Sequence, residues 1–152
     1  MHQVSHSKSH APWMMAACSG AMAIAFGVTV LARDTGTRRI QAPAVNPSGR
    51  SDASHVLDPA RFRDPRPQQT YAIARQIPAV LNQLYCWCRC KENPRLRHRA
   101  LLECYESDHA SQCDICMTEA EIASRMVTRG VTDVRKIQWE IDRWYEQLLR
   151  GT

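Results

Sequence analysis

Glycine is scarce in this chain, with six in 152 residues, which leaves little material for the glycine-rich loops that cradle phosphates or dinucleotides. No nucleotide fingerprint is present. A hydrolytic triad and a carboxylate pair placed for acid–base work are also missing, which argues against a conventional hydrolytic or nucleotide-using enzyme. The formal net charge of +5 and the pI near 9.0 bring nucleic acid to mind, but no basic run exceeds three residues. All basic residues except Lys8, Lys91 and Lys136 are arginines, scattered through the second half of the chain and the stretch before it. With no RNA-binding aromatic signature, helix-turn-helix spacing or Cys/His finger, nucleic acid is not expected as a partner.

Charge is absent altogether between Ser9 and Arg33. Residues 13–32 form one apolar run of about the length that crosses a ~30 Å hydrocarbon core. Residues 1–32 are therefore expected to be a signal peptide or an N-terminal membrane anchor, making the membrane a partner if the segment is not cleaved. Small residues at Val30, Leu31 and Ala32 favour cleavage, and the length of the run favours an anchor. The positive-inside rule does not choose, because Lys8 precedes the run and Arg33, Arg38 and Arg39 follow it. Either fate places the remainder outside the cytoplasm, in the periplasm or at the cell surface. His2, His6 and His10 recur every four residues, but they fall in the targeting segment and are not expected to bind metal.

Residues 33–69 carry Pro43, Pro47, Pro59, Pro65 and Pro67 with little apolar periodicity, and are expected to form a disordered Pro/Arg-rich linker. Residues 70–152 are expected to form an all-α, cysteine-rich domain of about four short helices. Pro78 suits the first position of a helix, where its missing N–H costs nothing. Tyr71 to Gln76 forms a preceding turn, ended at Ile77 because the residue before proline is driven from the helical region. A helix is expected from Pro94 or Arg95 to about Tyr105, and another from near Ser111, whose hydroxyl would cap it, to Gly130. Thr132 would cap the last helix, where Val134, Ile137, Ile141, Trp144, Tyr145 and Leu148 recur at three and four residues. Trp139 and Trp144 are read as core or rim packing. A domain this small buries a modest core, and disulfides, a metal or a partner commonly supply the remainder of its stability.

Cysteine is what the sequence has in excess. Cys86, Cys88, Cys90, Cys104, Cys113 and Cys116 fall within 31 residues. In an extended segment the first three would present their sulfurs on one face, and a loop could curl them around one centre. Neighbours at this spacing pair only under strain, so their partners lie elsewhere in the chain or are an ion. Cys113 and Cys116 sit three apart at an expected helix start, where free N–H groups and the macrodipole lower thiol pKa values. That spacing serves thiol–disulfide exchange and is also one half of a common zinc or soft-metal site. His98 and His109 lie close enough in sequence to add nitrogen ligands. Three readings follow: a soft-metal site with Cu(I) or Zn(II), a thiol oxidoreductase in which Cys113 and Cys116 exchange with the triplet, or three structural disulfides, the first two served by a metal-handling or redox partner protein.

With these residues in view, the chain resembles the exported, largely uncharacterised bacterial proteins named for their CYCXC or PCYCGC motif. The resemblance covers residues 77 to about 145. It runs through Ile77-Pro78-Ala79-Val80-Leu81, Tyr85-Cys86-Trp87-Cys88-Arg89-Cys90, His98, Leu102, Cys104, His109, and Cys113 to Cys116 followed by Glu119 and Ala120. Two positions depart from the pattern: Trp87 replaces a tyrosine, and Arg89 stands where relatives carry glycine or selenocysteine. Some members resemble selenoproteins, which implies redox or soft-metal chemistry, since selenium offers little in a structural crosslink. Arg89 cannot perform that chemistry, so if the position is the reactive one in relatives, the resemblance implies that this chain has lost it or relies on the neighbouring thiols.

Overall fold

The computed structural model describes residues 40–45, 47 and 49–152. The apolar run at residues 13–32, Cys18 and the three early histidines lie outside the described residues. Among the described residues the fold is helical with no strand, as the patterning leads one to expect. No helix among them is long and apolar enough to cross a membrane.

Four α-helices carry the architecture: α1 (Pro65–Gln76), α2 (Pro78–Leu81), α3 (Asp114–Thr128) and α4 (Val134–Arg150), with 3-10 segments at Pro59–Arg61, Leu101–Tyr105 and Asp108–Gln112. Helix α1 begins well inside the stretch expected to be linker. Asp64 caps it by accepting the Arg66 N–H at 3.0 Å, and Pro65 occupies its first position. Upstream, Val56 is buried in the core and Phe62 packs on Tyr71 with ring centroids 4.2 Å apart. The expectation of a disordered linker reaching residue 69 is therefore corrected. Pro59 and Pro65 stand at the first positions of helical turns capped by Asp58 and Asp64, and the segment's few apolar side chains anchor it. His55 is exposed, as expected.

Helix α1 stops at Gln76 and α2 starts at Pro78, as the Ile77-Pro78 step dictates. The expected helix from Pro94 or Arg95 does not form as one. Asn93 caps a single turn by accepting the Arg95 N–H, Arg97 then turns left-handed at φ 53°, and only Leu101–Tyr105 coils again, as 3-10 helix. Leu101, Leu102, Cys104 and Tyr105 turn inward as expected, and polar contacts join them: Arg99 donates to Glu103, and His98 is drawn toward Cys104. Ser111 does not cap α3. Its hydroxyl donates to the Asp108 carbonyl at 2.7 Å within the preceding 3-10 segment, and Cys113 stands at the N-cap. Asp133, not Thr132, caps α4, accepting the Arg135 N–H at 2.9 Å. Gly130, at φ 81°, provides the left-handed residue that ends the α3 segment.

Tyr71, Tyr105, Leu81, Leu84, Leu101, Leu102, Ile137 and Ile141 fill the centre and are fully buried. Each buried aliphatic side chain contributes about 2 kcal/mol relative to exposure. Tyr71 meets Tyr105 edge to face, with centroids 4.9 Å apart. Arg66 ties α1 to α3 through Glu121 at 2.9 Å, Asp114 at 2.7 Å and the Thr118 hydroxyl at 2.8 Å. Helix α4 buries only a narrow stripe. Trp144 packs against the core, whereas Trp139 is 44% exposed, with Arg143 over its ring at 4.8 Å.

Candidate metal centre

Among the described residues, the three segments that carry cysteine come together. The first is the loop after α2. The Leu101 N–H bonds the Leu84 carbonyl at 2.8 Å and the Tyr85 N–H bonds Gln138 Oε1 on α4 at 2.7 Å, so both strands of the loop entrance are pinned. Cys86 to Arg89 then closes a turn, with the Arg89 N–H on the Cys86 carbonyl at 3.3 Å. Arg89 itself is left-handed at φ 61°. This reversal curls the triplet inward, so the convergence comes from a turn and not from the pleat of an extended segment. Trp87 locks the turn from outside: its indole N–H donates to Asp142 at 2.9 Å, and its ring stacks on Tyr145 at 4.6 Å.

The Leu101–Tyr105 segment brings Cys104, and the start of α3 brings Cys113 at the N-cap and Cys116 in the first turn. Tyr105 secures that turn by donating its hydroxyl to the Cys116 carbonyl at 2.7 Å. All six thiols are free, with Cys86, Cys90, Cys104 and Cys116 buried and Cys88 and Cys113 half-buried. Cys86 Sγ lies 3.3 Å from Cys88 Sγ and 3.5 Å from Cys116 Sγ, and Cys90 Sγ lies 3.4 Å from Cys104 Sγ. These separations are well beyond a disulfide bond of about 2.05 Å. Both expected imidazoles join the cluster. His98 Nδ1 is 3.3 Å from Cys104 Sγ, His109 Nε2 is 3.7 Å from Cys88 Sγ, and the two rings meet edge to face at 5.3 Å.

Three sets of side chains have donor atoms that all lie within 4.8 Å of one another: Cys86, Cys88, Cys90 and Cys104; Cys88, His109, Cys113 and Cys116; and Cys90, His98, Cys104 and His109. Such sets of sulfur and imidazole donors fit a tetrahedral soft or borderline metal ion. This cysteine cluster could hold a metal ion.

No protein-family model, curated protein or solved structure matches the chain. The site's chemistry is carried by its own donors.

Packing six thiols together divides their protons unequally. Hydrogen bonds from neighbouring thiols, Cys104 first in each case, lower Cys88, bring Cys90 down to about 6 and bring Cys116 down to about 3. Burial raises Cys86, and the interaction with Cys116 raises Cys104 and Cys113. The sequence leads one to expect both members of the Cys113/Cys116 pair to be lowered. Only Cys116 is, because Cys113 serves it as a hydrogen-bond donor and makes no side-chain cap bond to the helix. The imidazoles respond in turn: His109 is raised to about 9, chiefly by Cys116, and His98 is raised, chiefly by Cys90.

Glu119 is a site residue to which sequence reasoning assigned no role. It is fully buried one turn beyond Cys116, and Oε1 accepts the Trp87 N–H at 2.8 Å while Oε2 has no hydrogen-bond partner. Burial pushes its carboxyl well above the usual range, against smaller lowering contributions from Cys86 and the Trp87 N–H. Its signal in the sequence is its position: an acid three residues after Cys116 lies on the apolar face of α3, where an ionisable group needs a reason to be.

Proposed function

We propose that this chain is an extracytoplasmic thiolate-cluster protein of the CYCXC type that binds a soft metal, copper(I) or zinc(II), for handling or sensing. One observation carries the reading: six free thiols and two imidazoles from three separate segments converge, with sets of four donors inside 4.8 Å of one another. Thiolate ligands suit Cu(I) and Zn(II), and the half-buried Cys88 and Cys113 give an ion a route to the buried sulfurs. The left-handed φ of Arg89 also supports the family reading, since glycine, which the CYCXC resemblance places at that position, adopts this backbone most readily. The apolar run at residues 13–32 would deliver the domain across a membrane, as a secreted or anchored protein, to meet a metal-handling partner. The deciding measurement is metal content and metal uptake of the full chain purified under reducing conditions. Stoichiometric zinc or copper is expected, and a chain that neither carries nor takes up either ion defeats the reading.

A thiol–disulfide role is the second reading, favoured by the lowered Cys116 thiol beside Cys113. In it, the Cys116 thiolate attacks a partner's disulfide and Cys113 displaces the partner, so that two electrons and two protons leave this chain as it closes a disulfide. Burial stands against it, because Cys116 is wholly inaccessible and a nucleophilic thiolate needs access to the sulfur it attacks. An alkylation titration separates the readings: rapid labelling of Cys116 in the metal-free protein favours exchange, whereas labelling of the half-buried Cys88 and Cys113 that zinc suppresses favours coordination. A fold stapled by three disulfides would instead show none of the six clustered thiols free before reduction.

A further inference from the structure

The arrangement of donors supports a finer assignment, which rests on the metal-binding reading above. We propose that the cluster is built for two zinc(II) ions side by side, with the Cys88 thiolate bridging them.

The donor count comes first. One tetrahedral ion uses four ligands, and eight side chains contribute donors here. Two of the three compact sets, Cys86/Cys88/Cys90/Cys104 and Cys88/His109/Cys113/Cys116, together use all six sulfurs and share only Cys88. The sizes agree: a Zn–S bond of ~2.3 Å implies sulfur–sulfur edges of about 3.8 Å. The observed spacings of 3.3 Å for Cys86 to Cys88 and 3.4 Å for Cys90 to Cys104 need only a slight expansion to accept an ion. The second set is similar, with His109 Nε2 at 3.7 Å from Cys88 Sγ.

The two sets also touch. Cys86 of the first lies 3.5 Å from Cys116 of the second, sulfur to sulfur. Independent sites would be separated by packing side chains, whereas tetrahedra that share a vertex place their remaining sulfurs against one another. A thiolate has lone pairs for two ions, and Cys88 is the middle member of the triplet, on the turn that faces both sets. The third set overlaps the first in Cys90 and Cys104, so it does not define another centre. His98, 3.3 Å from Cys104 Sγ, orients that sulfur by hydrogen bonding from outside the pair of ions.

Charge selects the ion. Six thiolates around two divalent ions leave a core of charge −2, and two monovalent copper ions would leave −4 in a largely buried site. Uncompensated buried charge is costly, so the divalent pair is preferred.

The test is titration of the reduced, metal-free full chain with zinc(II), counted by native mass spectrometry, and with cadmium-113 as a spectroscopic probe. Two zinc ions per chain are expected. Two cadmium resonances are also expected, the all-sulfur site downfield of the site with one nitrogen, each split by the other through the shared sulfur. In Cys88→Ser the mutual splitting should disappear and the two-ion form should weaken by about tenfold or more. If that variant fails to fold, the wild-type spectra decide. Saturation at one ion overturns the two-ion assignment but leaves metal binding standing, and uptake of none removes both. Two unsplit resonances, or splitting that survives in Cys88→Ser, overturn the bridge.

Discussion

Tyr105→Phe tests whether the start of α3 is held to the cluster by a single buried hydrogen bond. The ring would remain in place, edge to face with Tyr71, so the apolar packing is conserved. What is lost is the hydroxyl that donates to the Cys116 carbonyl at 2.7 Å in a fully buried setting. A net buried hydrogen bond is worth about 1 kcal/mol, and a buried acceptor left short of a donor adds up to ~1 kcal/mol more. The carbonyl keeps its place in the helix ladder, so a total of about 1–2 kcal/mol is expected. For a folded unit of this size that corresponds to a fall in Tm of roughly 4–8 °C. The same substitution loosens the backbone that carries Cys116, and the loss of such a supporting contact typically weakens metal binding by about tenfold. Calorimetry of the metal-free protein and competition with a chromophoric chelator measure the two effects. Tyr105→Ala provides the contrast: it opens a cavity and should cost about 3–5 kcal/mol. A Phe variant that melts with the wild type and binds zinc equally well would refute the reasoning, because it would mean that the hydroxyl anchors nothing.

Adding zinc to the metal-free protein should raise Tm by roughly 10 °C at a free concentration about 100 times Kd, since binding to the folded state alone adds ~2.7 kcal/mol; the rise should vanish with a chelator, and an unchanged melt counts against a folded site. Glu119 gives a pH signature. Its raised folded-state pKa means that the folded form keeps a proton the unfolded chain has released, so its contribution to stability is complete below the unfolded value and lost as pH rises from about 4.5 toward the folded value. Denaturant titrations of the metal-free protein should therefore show Glu119→Gln gaining on the wild type by ~1.4 kcal/mol per pH unit across that window, and a difference independent of pH excludes the mechanism. Arg89→Gly should relieve the left-handed backbone at φ 61° and stabilise the protein by about 0.5–1 kcal/mol after the greater freedom of the unfolded chain is subtracted, as read by urea unfolding; destabilisation would show that the Arg89 side chain outweighs its backbone strain. Asp142→Ala removes the acceptor of the Trp87 indole N–H and the Gln138 amide, which should cost about 1–3 kcal/mol and shift Trp87 emission to the red; an unshifted spectrum argues against the lock on the cysteine turn.

Much of this protein is legible in its residues. Proline at Pro78 and the apolar stripe from Val134 to Leu148 set α2 and α4 because both act locally, through a fixed φ and through a repeat of three and four. The crowding of six cysteines and two histidines into one fifth of the chain marked the candidate cluster, since thiols at such density serve a metal, a redox exchange or a set of crosslinks. The misreadings share a cause. The segment before residue 70 looked structureless because its anchors, Val56 and Phe62, have no local period, and only Tyr71 and the rest of the core give them a place. The stretch from Pro94 failed to coil as one helix because Arg97 turns left-handed at φ 53°, which breaks the helical path after a single turn and lets His98 reach Cys104.

Tertiary structure alone decided which sulfur faces which. The sequence set the donor inventory, but the left-handed turn at Arg89, the Trp87 lock on α4 and the Tyr105 bond to Cys116 bring three distant segments to one point. The same packing buries Glu119 beside the thiols and sorts Cys113 from Cys116, although the two share one motif. A thiol's acidity and its capacity to share an ion depend on atoms a few ångströms away in space, and separation along the chain does not encode those distances.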